Sequence, residues 1–212
     1  MRVLMFGWEF PPHIAGGLGT ACYGMTRGLA ENGVEVLFVM PSASGDEDQS
    51  SVRIINASDV AVDTMSETVD EFLGKVRFVH VGTNMVPYVS PEDFCSVVDE
   101  ERARQIKDFR ITYGQKYQFS GKYGTNLMEE VARYGMVGGT IALQHCDEFD
   151  VIHAHDWLTY LAGIAAKQLT GKPLVVHVHA TSFDRSSDDN IDTRVYDLEK
   201  RGMEAADKVI TV

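Results

Sequence analysis

Arg2-Val3-Leu4-Met5-Phe6-Gly7 opens the chain, and its relation to Gly16-Gly17-Leu18-Gly19 and to the stop at Pro41 decides the fold. Arg2 to Phe6 is a short apolar run closed by Gly7, the pattern of a strand buried on both faces. From Leu18 to Asn32 the residues Leu18, Ala21, Cys22, Met25 and Leu29 recur at three- and four-residue steps. That spacing predicts a helix with one apolar face, capped by Gly33. Val34 to Met40 reads as a second buried strand, and Pro41 stops it. Strand, helix and strand in this order make a βαβ unit, whose crossover is right-handed.

The same alternation recurs downstream. Asn126 to Cys146 carries an apolar stripe of Leu127, Val131, Tyr134, Val137, Ile141 and Leu143, with Gly138-Gly139 allowing a close neighbour. A strand over Asp150 to Ala154 leads into a helix over Leu158 to Leu169, ended by Gly171. A strand over Pro173 to Ala180, a helix over Thr193 to Ala206 and a strand over Lys208 to Val212 follow. Between these units, Ser42 to Ser51 reads as an exposed, mobile loop with little chemistry. Lys75 to Val81 reads as a strand, and Pro87 to Phe119 as an insertion with helical patches. The expected fold is α/β and Rossmann-like: a mostly parallel sheet with helices on both faces, in one domain over residues 1–212. Ending on a strand that should feed a loop and helix, the chain reads as part of a longer protein.

Composition narrows the partners. With 212 residues, 44% hydrophobic and 24% charged, the chain suits one soluble α/β core. Nineteen Lys and Arg stand against 31 Asp and Glu, a formal charge of -12 that repels nucleic acid and anionic membranes. Cys22, Cys95 and Cys146 are odd in number and lack metal or disulfide spacing, so they read as reduced thiols. No signal-peptide pattern and no long apolar window is visible, so the expected location is cytoplasmic.

Three clusters carry candidate chemistry. The long loop from Gly7 to Gly19 ends at the start of a helix, where glycines let backbone amides approach a ligand and the helix dipole favours an anion. Gly16, Gly17, Leu18 and Gly19 are therefore candidate phosphate-binding positions. A nicotinamide-dinucleotide site is disfavoured, because Cys22 replaces the third fingerprint glycine and no acid ends the second strand. The second cluster is His153-Ala154-His155-Asp156-Trp157, and the third is His177-Val178-His179-Ala180-Thr181, followed by Asp184 and Arg185. In a strand, residues two apart share a face, so each pair of histidines points one way. His155 and His179, nearer the carboxyl ends, are the candidates for contact with a ligand, since a neutral imidazole can hydrogen-bond a sugar hydroxyl or a carbonyl. His153 and His177 read as core histidines bonded to backbone. Asp156, Trp157 and Thr181 complete the candidate cleft, although Trp157 also fits a core anchor. Paired HxH strands admit a zinc or dinuclear metal site with Asp156 or Asp184, but no HExxH or CxxC spacing supports one, and no metal is expected. No GxSxG nucleophile elbow is present.

At these motifs the chain resembles the N-terminal domain of the glycogen/starch synthase family and its group 1 glycosyltransferase relatives, which share the two-domain GT-B fold. The resemblance rests on Gly16-Gly17-Leu18-Gly19, on His153-Ala154-His155-Asp156-Trp157 and on Val176-His177-Val178-His179-Ala180-Thr181. It implies retaining transfer of a sugar, usually glucose, from an ADP- or UDP-linked donor to a glycan acceptor, with no separate cofactor. It also implies a C-terminal donor-binding domain as partner, amides of Gly16, Gly17 and Leu18 toward the donor phosphates, and His155 as the catalytic contact to the donor sugar. Ile14 and Thr20 stand where that family carries Lys and Asp, which points to altered donor or acceptor preference. By this reading the isolated chain is inactive. The alternatives are a non-catalytic carbohydrate-binding module and a metal-dependent hydrolase built on the HxH strands.

Overall fold

The computed structural model describes residues 1–63, 114–124, 126–186 and 191–212. The expected strand over Lys75 to Val81 and most of the insertion over Pro87 to Phe119 lie outside them. The elements run β1 (Arg2–Phe6), α1 (Gly17–Glu31), β2 (Glu35–Met40), β3 (Arg53–Asn56), a 3₁₀ turn (Ala57–Asp59), α2 (Leu127–Gln144) and β4 (Val151–His155). They continue with α3 (Trp157–Thr170), β5 (Leu174–Val178), α4 (Ser182–Arg185), α5 (Thr193–Ala205) and β6 (Lys208–Thr211). Each strand and helix expected within the described residues is present, with its ends moved by one or two residues. β3 and α4 are additions. Arg53–Asn56 is only four residues long and lies at a sheet edge, so it shows neither a long apolar run nor clear alternation.

All six strands are parallel, in the order β3-β2-β1-β4-β5-β6. This is the strand order of the dinucleotide-binding Rossmann sheet. Because β1 and β4 pair at the centre, their side chains face helices on both sides, which explains the apolar run Val3 to Phe6 in β1, while β4 alternates its buried apolar residues with His153 and His155. On one face Val3, Met5, Phe10, Cys22, Phe38 and Met40 pack beneath α1. On the other, Leu4, Phe6 and Ile152 meet residues of α2, α3 and α5, including Tyr134, Ile141, Leu161 and Leu198, in the larger core.

Gly138 shows why α2 carries paired glycines. A Cβ there would stand 2.6 Å from the Ala162 Cβ and 3.1 Å from both the Ala162 Cα and the Phe6 ring. The backbones of α2 and α3 thus touch above β1, as the sequence suggested. The loop over residues 42–51 is tied down more than its composition suggests. Buried Glu47 accepts from the Ser44 and Gly45 amides at 2.7 and 2.9 Å. Asp48 accepts from the Tyr23 hydroxyl and Asp46 pairs with His13, joining this loop to α1 and to the loop before it. No helix among the described residues is long and apolar enough to cross a membrane.

Candidate functional site

The strand order reverses between β1 and β4: from β1 the chain moves one way to β2 and β3, and from β4 the other way to β5 and β6. Connections leaving the carboxyl ends of these two strands diverge and open a crevice, the position where open α/β sheets bind ligands. The segment after β1 is Gly7 to Gly16, and the segment after β4 is Asp156. Tyr134, fully buried, braces the rim by donating to the Val39 carbonyl at 2.7 Å and to the Gly7 carbonyl at 3.0 Å.

At the start of α1 a side chain of the protein itself holds much of the glycine loop. Glu9 is only 4% exposed, and its carboxylate accepts from the amides of Ala15 at 2.7 Å, Gly16 at 3.2 Å and Gly19 at 3.2 Å. An anion does sit against the first turn of this helix, as the dipole favours, but the anion is internal. Gly19 is required for it: a Cβ there would fall 2.9 Å from the Glu9 Cγ and 2.5 Å from the Ile14 methyl. Of the four phosphate-binding candidates, Gly16 and Gly19 therefore serve Glu9. Among the described residues none accepts from the amides of Gly17 or Leu18, and open space surrounds the Gly17 Cα.

The two histidine motifs come together. His155 is the register partner of His177, and His153 is the partner of Met5, which places the imidazoles on the α1 side of the sheet. The rings of His153 and His155 lie 4.2 Å apart, those of His155 and His177 5.1 Å, and those of His177 and His179 4.3 Å, with planes within 37° of one another. Of the two residues taken as rim candidates, His155 is fully buried and His179 half-buried. Their Nδ1 and Nε2 atoms stand 2.9 Å apart in one hydrogen bond. The expectation that His153 and His177 bond to backbone is corrected. His153 Nε2, His155 Nε2 and both ring nitrogens of His177 are buried without a partner. Burial, followed by the neighbouring His177 and His179, pushes the His153 pKa down to about 4. Burial holds His155 well below its usual range, and His177 and His179 are lowered as well. All four are neutral at physiological pH. His153, His155 and His177 together present three ring nitrogens within 4.8 Å of one another, the donor set of a transition-metal site.

Asp156 organises the rim. Its φ of 58° is the positive value that L residues rarely adopt, and it costs about 1–3 kcal/mol. The carboxylate offsets that strain by accepting from the His179 amide at 2.7 Å and the Ala180 amide at 3.4 Å, and from Arg185 at 2.9 Å. Burial raises its pKa, opposed by the His179 amide and the Arg185 charge. Arg185 also lies 3.5 Å from buried Glu199, which accepts from Ser182 at 2.7 Å. Thr181, expected in the cleft, forms a capping box with Asp184 at the start of α4. Trp157, 3% exposed, lies in the main core.

Sequence reasoning gave no role to Glu9 or Glu199. Glu9 had a visible signal, being the only acid in the apolar stretch from Trp8 to Pro12. Glu199 sits on a helix of ordinary composition, and nothing local marks it.

A family model described as the starch synthase catalytic domain matches residues 2–212. An uncharacterized glycosyltransferase of Methanocaldococcus jannaschii is 25% identical over 186 residues, covering 87% of this chain and 32% of that protein. A glycogen synthase of Mycobacterium tuberculosis is 25% identical over 187 residues, covering 88% of this chain and 35% of its own length. The chain thus spans about a third of the length of these relatives. Among solved structures, the sucrose-phosphate synthase of Thermosynechococcus elongatus aligns with a TM-score of 0.55 at 13% identity, over 98% of this chain and 41% of that one. This likeness concerns the fold alone. With the parallel Rossmann-like sheet, the glycine loop and the family model spanning nearly its whole length, the chain belongs to the glycogen/starch synthase family of GT-B glycosyltransferases.

Proposed function

We propose that this chain is the acceptor-side domain of a retaining glycosyltransferase that moves glucose from an ADP- or UDP-linked donor to a glycan. The observation that carries the reading is the convergence of two features on the reversal of strand order. The unclaimed amides of Gly17 and Leu18 start α1 beside β1, and the His155–His179 pair joins the last residue of β4 to the residue after β5. In the transfer, the bond between the sugar C1 and the diphosphate oxygen breaks, and a bond from C1 to an acceptor oxygen forms. The departing diphosphate takes the bonding electrons and, once it has left, the proton that the acceptor hydroxyl gives up. Fixed N–H dipoles aimed at that growing charge speed departure without themselves giving up a proton. His179 is the imidazole that meets the sugar, because His155 behind it is fully enclosed and acts by holding it. The transfer as proposed needs no separate cofactor. A C-terminal domain contributes the nucleotide contacts, so the 212-residue chain alone is silent.

The test is incubation of the longer protein with ADP-glucose or UDP-glucose and a maltooligosaccharide, with the product followed by mass and its anomeric configuration by NMR. Chain elongation with the donor's configuration is expected. Absence of turnover with both donors, or an inverted linkage, overturns the reading.

A further inference from the structure

Glu199 stands where a helix ordinarily places an apolar side chain. The buried positions of α5 are Val195, Leu198, Glu199 and Gly202, the stripe that packs on α3, and Glu199 is 4% exposed among them. A carboxylate there is hard to explain by stability alone, since replacing buried ion pairs with well-packed apolar side chains is often neutral or stabilising. We propose that Glu199 is a positioning residue: from the buried face of α5 it fixes Arg185, and through Arg185 and Asp156 it sets the main chain at His179. Its effect on rate rests on the transfer proposed above, whereas its effect on His179 does not.

The contacts run without a break from α5 to the rim. Glu199 Oε2 accepts from the Ser182 hydroxyl at 2.7 Å, and Glu199 Oε1 lies 3.5 Å from Arg185 Nη1. Arg185 Nη2 donates to Asp156 Oδ2 at 2.9 Å. Asp156 Oδ1 accepts from the amides of His179 at 2.7 Å and Ala180 at 3.4 Å, and His179 Nε2 meets His155 Nδ1 at 2.9 Å. The side chains of Asp156 and Glu199 are 6% and 5% exposed and that of Arg185 is 21% exposed, so solvent and salt screen these charges little.

Two carboxylates share one guanidinium, and they hold it differently. Asp156 forms a hydrogen bond to one end of the fork. Glu199 acts on the other end by charge, because neither Arg185 Nη1 nor Glu199 Oε1 has a hydrogen-bond partner among the described residues. A guanidinium held at both nitrogens keeps one orientation, whereas one held by Asp156 alone swings about that contact. Asp156 is sensitive to such motion, since its φ of 58° stores strain that its carboxylate contacts offset. A released Arg185 therefore loosens the acceptor of the His179 amide, and the imidazole moves with its main chain. Ser182 touches the same carboxylate without entering this line, which separates the joining of α4 to α5 from the orientation of the rim.

The test compares Glu199→Gln, which keeps an oxygen for Ser182 and removes the charge, with Ser182→Ala, which removes that hydrogen bond and keeps the charge. In the 212-residue chain, hydrogen exchange at the His179 amide should quicken about tenfold in Glu199→Gln and less than about twofold in Ser182→Ala. The ring nitrogens of His179 should shift in the NMR spectrum of the first variant only. In an Arg185→Gln background, adding Glu199→Gln should change His179 exchange no further, because the line is already cut. In the longer protein, Glu199→Gln should lower kcat about 10–100-fold with the KM for the sugar donor unchanged, and Ser182→Ala should leave both as they are. Unchanged His179 exchange or unchanged kcat in Glu199→Gln, equal responses in the two variants, or a full further effect in the Arg185→Gln background overturns the inference. Absence of turnover by the unaltered longer protein overturns the proposed transfer instead, and the His179 measurements then decide the role of Glu199. If Glu199→Gln does not fold, Arg185→Lys, whose single ammonium cannot serve both carboxylates, should quicken His179 exchange about as much, and unchanged exchange there overturns the inference.

Discussion

The carboxylate of Glu9 accepts the backbone amide of Gly19 at 3.2 Å, closing a ten-residue loop onto the first turn of α1. Ala15 and Gly16 donate to the same carboxylate, so one buried side chain sets the shape of the glycine loop. Glu9→Gln replaces one acceptor oxygen by a donor facing an amide. Thermal unfolding should show a loss of about 1–3 kcal/mol. Hydrogen exchange at Ala15, Gly16 and Gly19 should accelerate together. Unchanged exchange at all three would mean that Glu9 does not hold the loop.

Asp156 bears a second concentrated load. Asp156→Ala removes the acceptor of the His179 amide, deprives Arg185 of its closest partner and leaves a residue less tolerant of φ 58°. A loss of about 2–3 kcal/mol is expected, and Asp156→Asn should lose roughly half as much because it keeps one acceptor oxygen for the His179 amide. Denaturant unfolding of both variants checks the order.

Two glycines should respond in opposite directions to the same change. Gly138→Ala forces α2 away from α3 and should destabilise by about 1–3 kcal/mol. Gly24→Ala, exposed on α1 with no atom within 4 Å of the new methyl, should stabilise by about 0.4–1 kcal/mol. Melting temperatures that shift the same way would contradict the packing described.

The thiols should separate in reactivity. Burial, aided by Asp156 and Glu9, pushes the Cys22 pKa up to about 12, so almost no thiolate exists at mildly alkaline pH. Iodoacetamide on the folded chain should label half-buried Cys146 and spare Cys22 until denaturant is added. Peptide mapping reads the result.

The Arg2–Asp150 pair joins the start of β1 to the residue before β4 and gives stability a dependence on acid. Hydrogen bonds from Arg2 hold the Asp150 pKa down to about 2, from an ordinary 3.8. A carboxyl group whose pKa is lower in the folded chain favours folding once the unfolded chain has ionised too. Its contribution is therefore complete above pH about 4 and fades as the pH falls toward 2. The difference in melting temperature between the unaltered chain and Asp150→Asn should shrink over that interval.

The sequence disclosed what depends on local periodicity. β1, α1 and β2 were legible because Arg2–Phe6 and Glu35–Met40 are buried on both faces and α1 shows its apolar steps. β3 was not, because four residues at an edge leave too short a pattern. At the site, the glycine loop and both HxH motifs were visible as strings. Their relation was not visible, since the His155–His177 register depends on how β4 and β5 align, and periodicity carries no information on alignment. The same limit hid Glu9: its amide partners are close in sequence, but only the folded loop shows that its charge points inward rather than to water.

The central place of β1 bears on how the chain is made. Val3 pairs with Val36 on one side and with Val151 on the other, so the two neighbours of β1 arrive 33 and 148 residues behind it. At ordinary synthesis speeds the second neighbour emerges about 7–30 s after the first strand. During that interval one edge of an apolar strand has no neighbour to pair with. Nascent chains of this protein should therefore engage a holding chaperone early, and refolding from denaturant should be slow and prone to aggregation at high protein concentration.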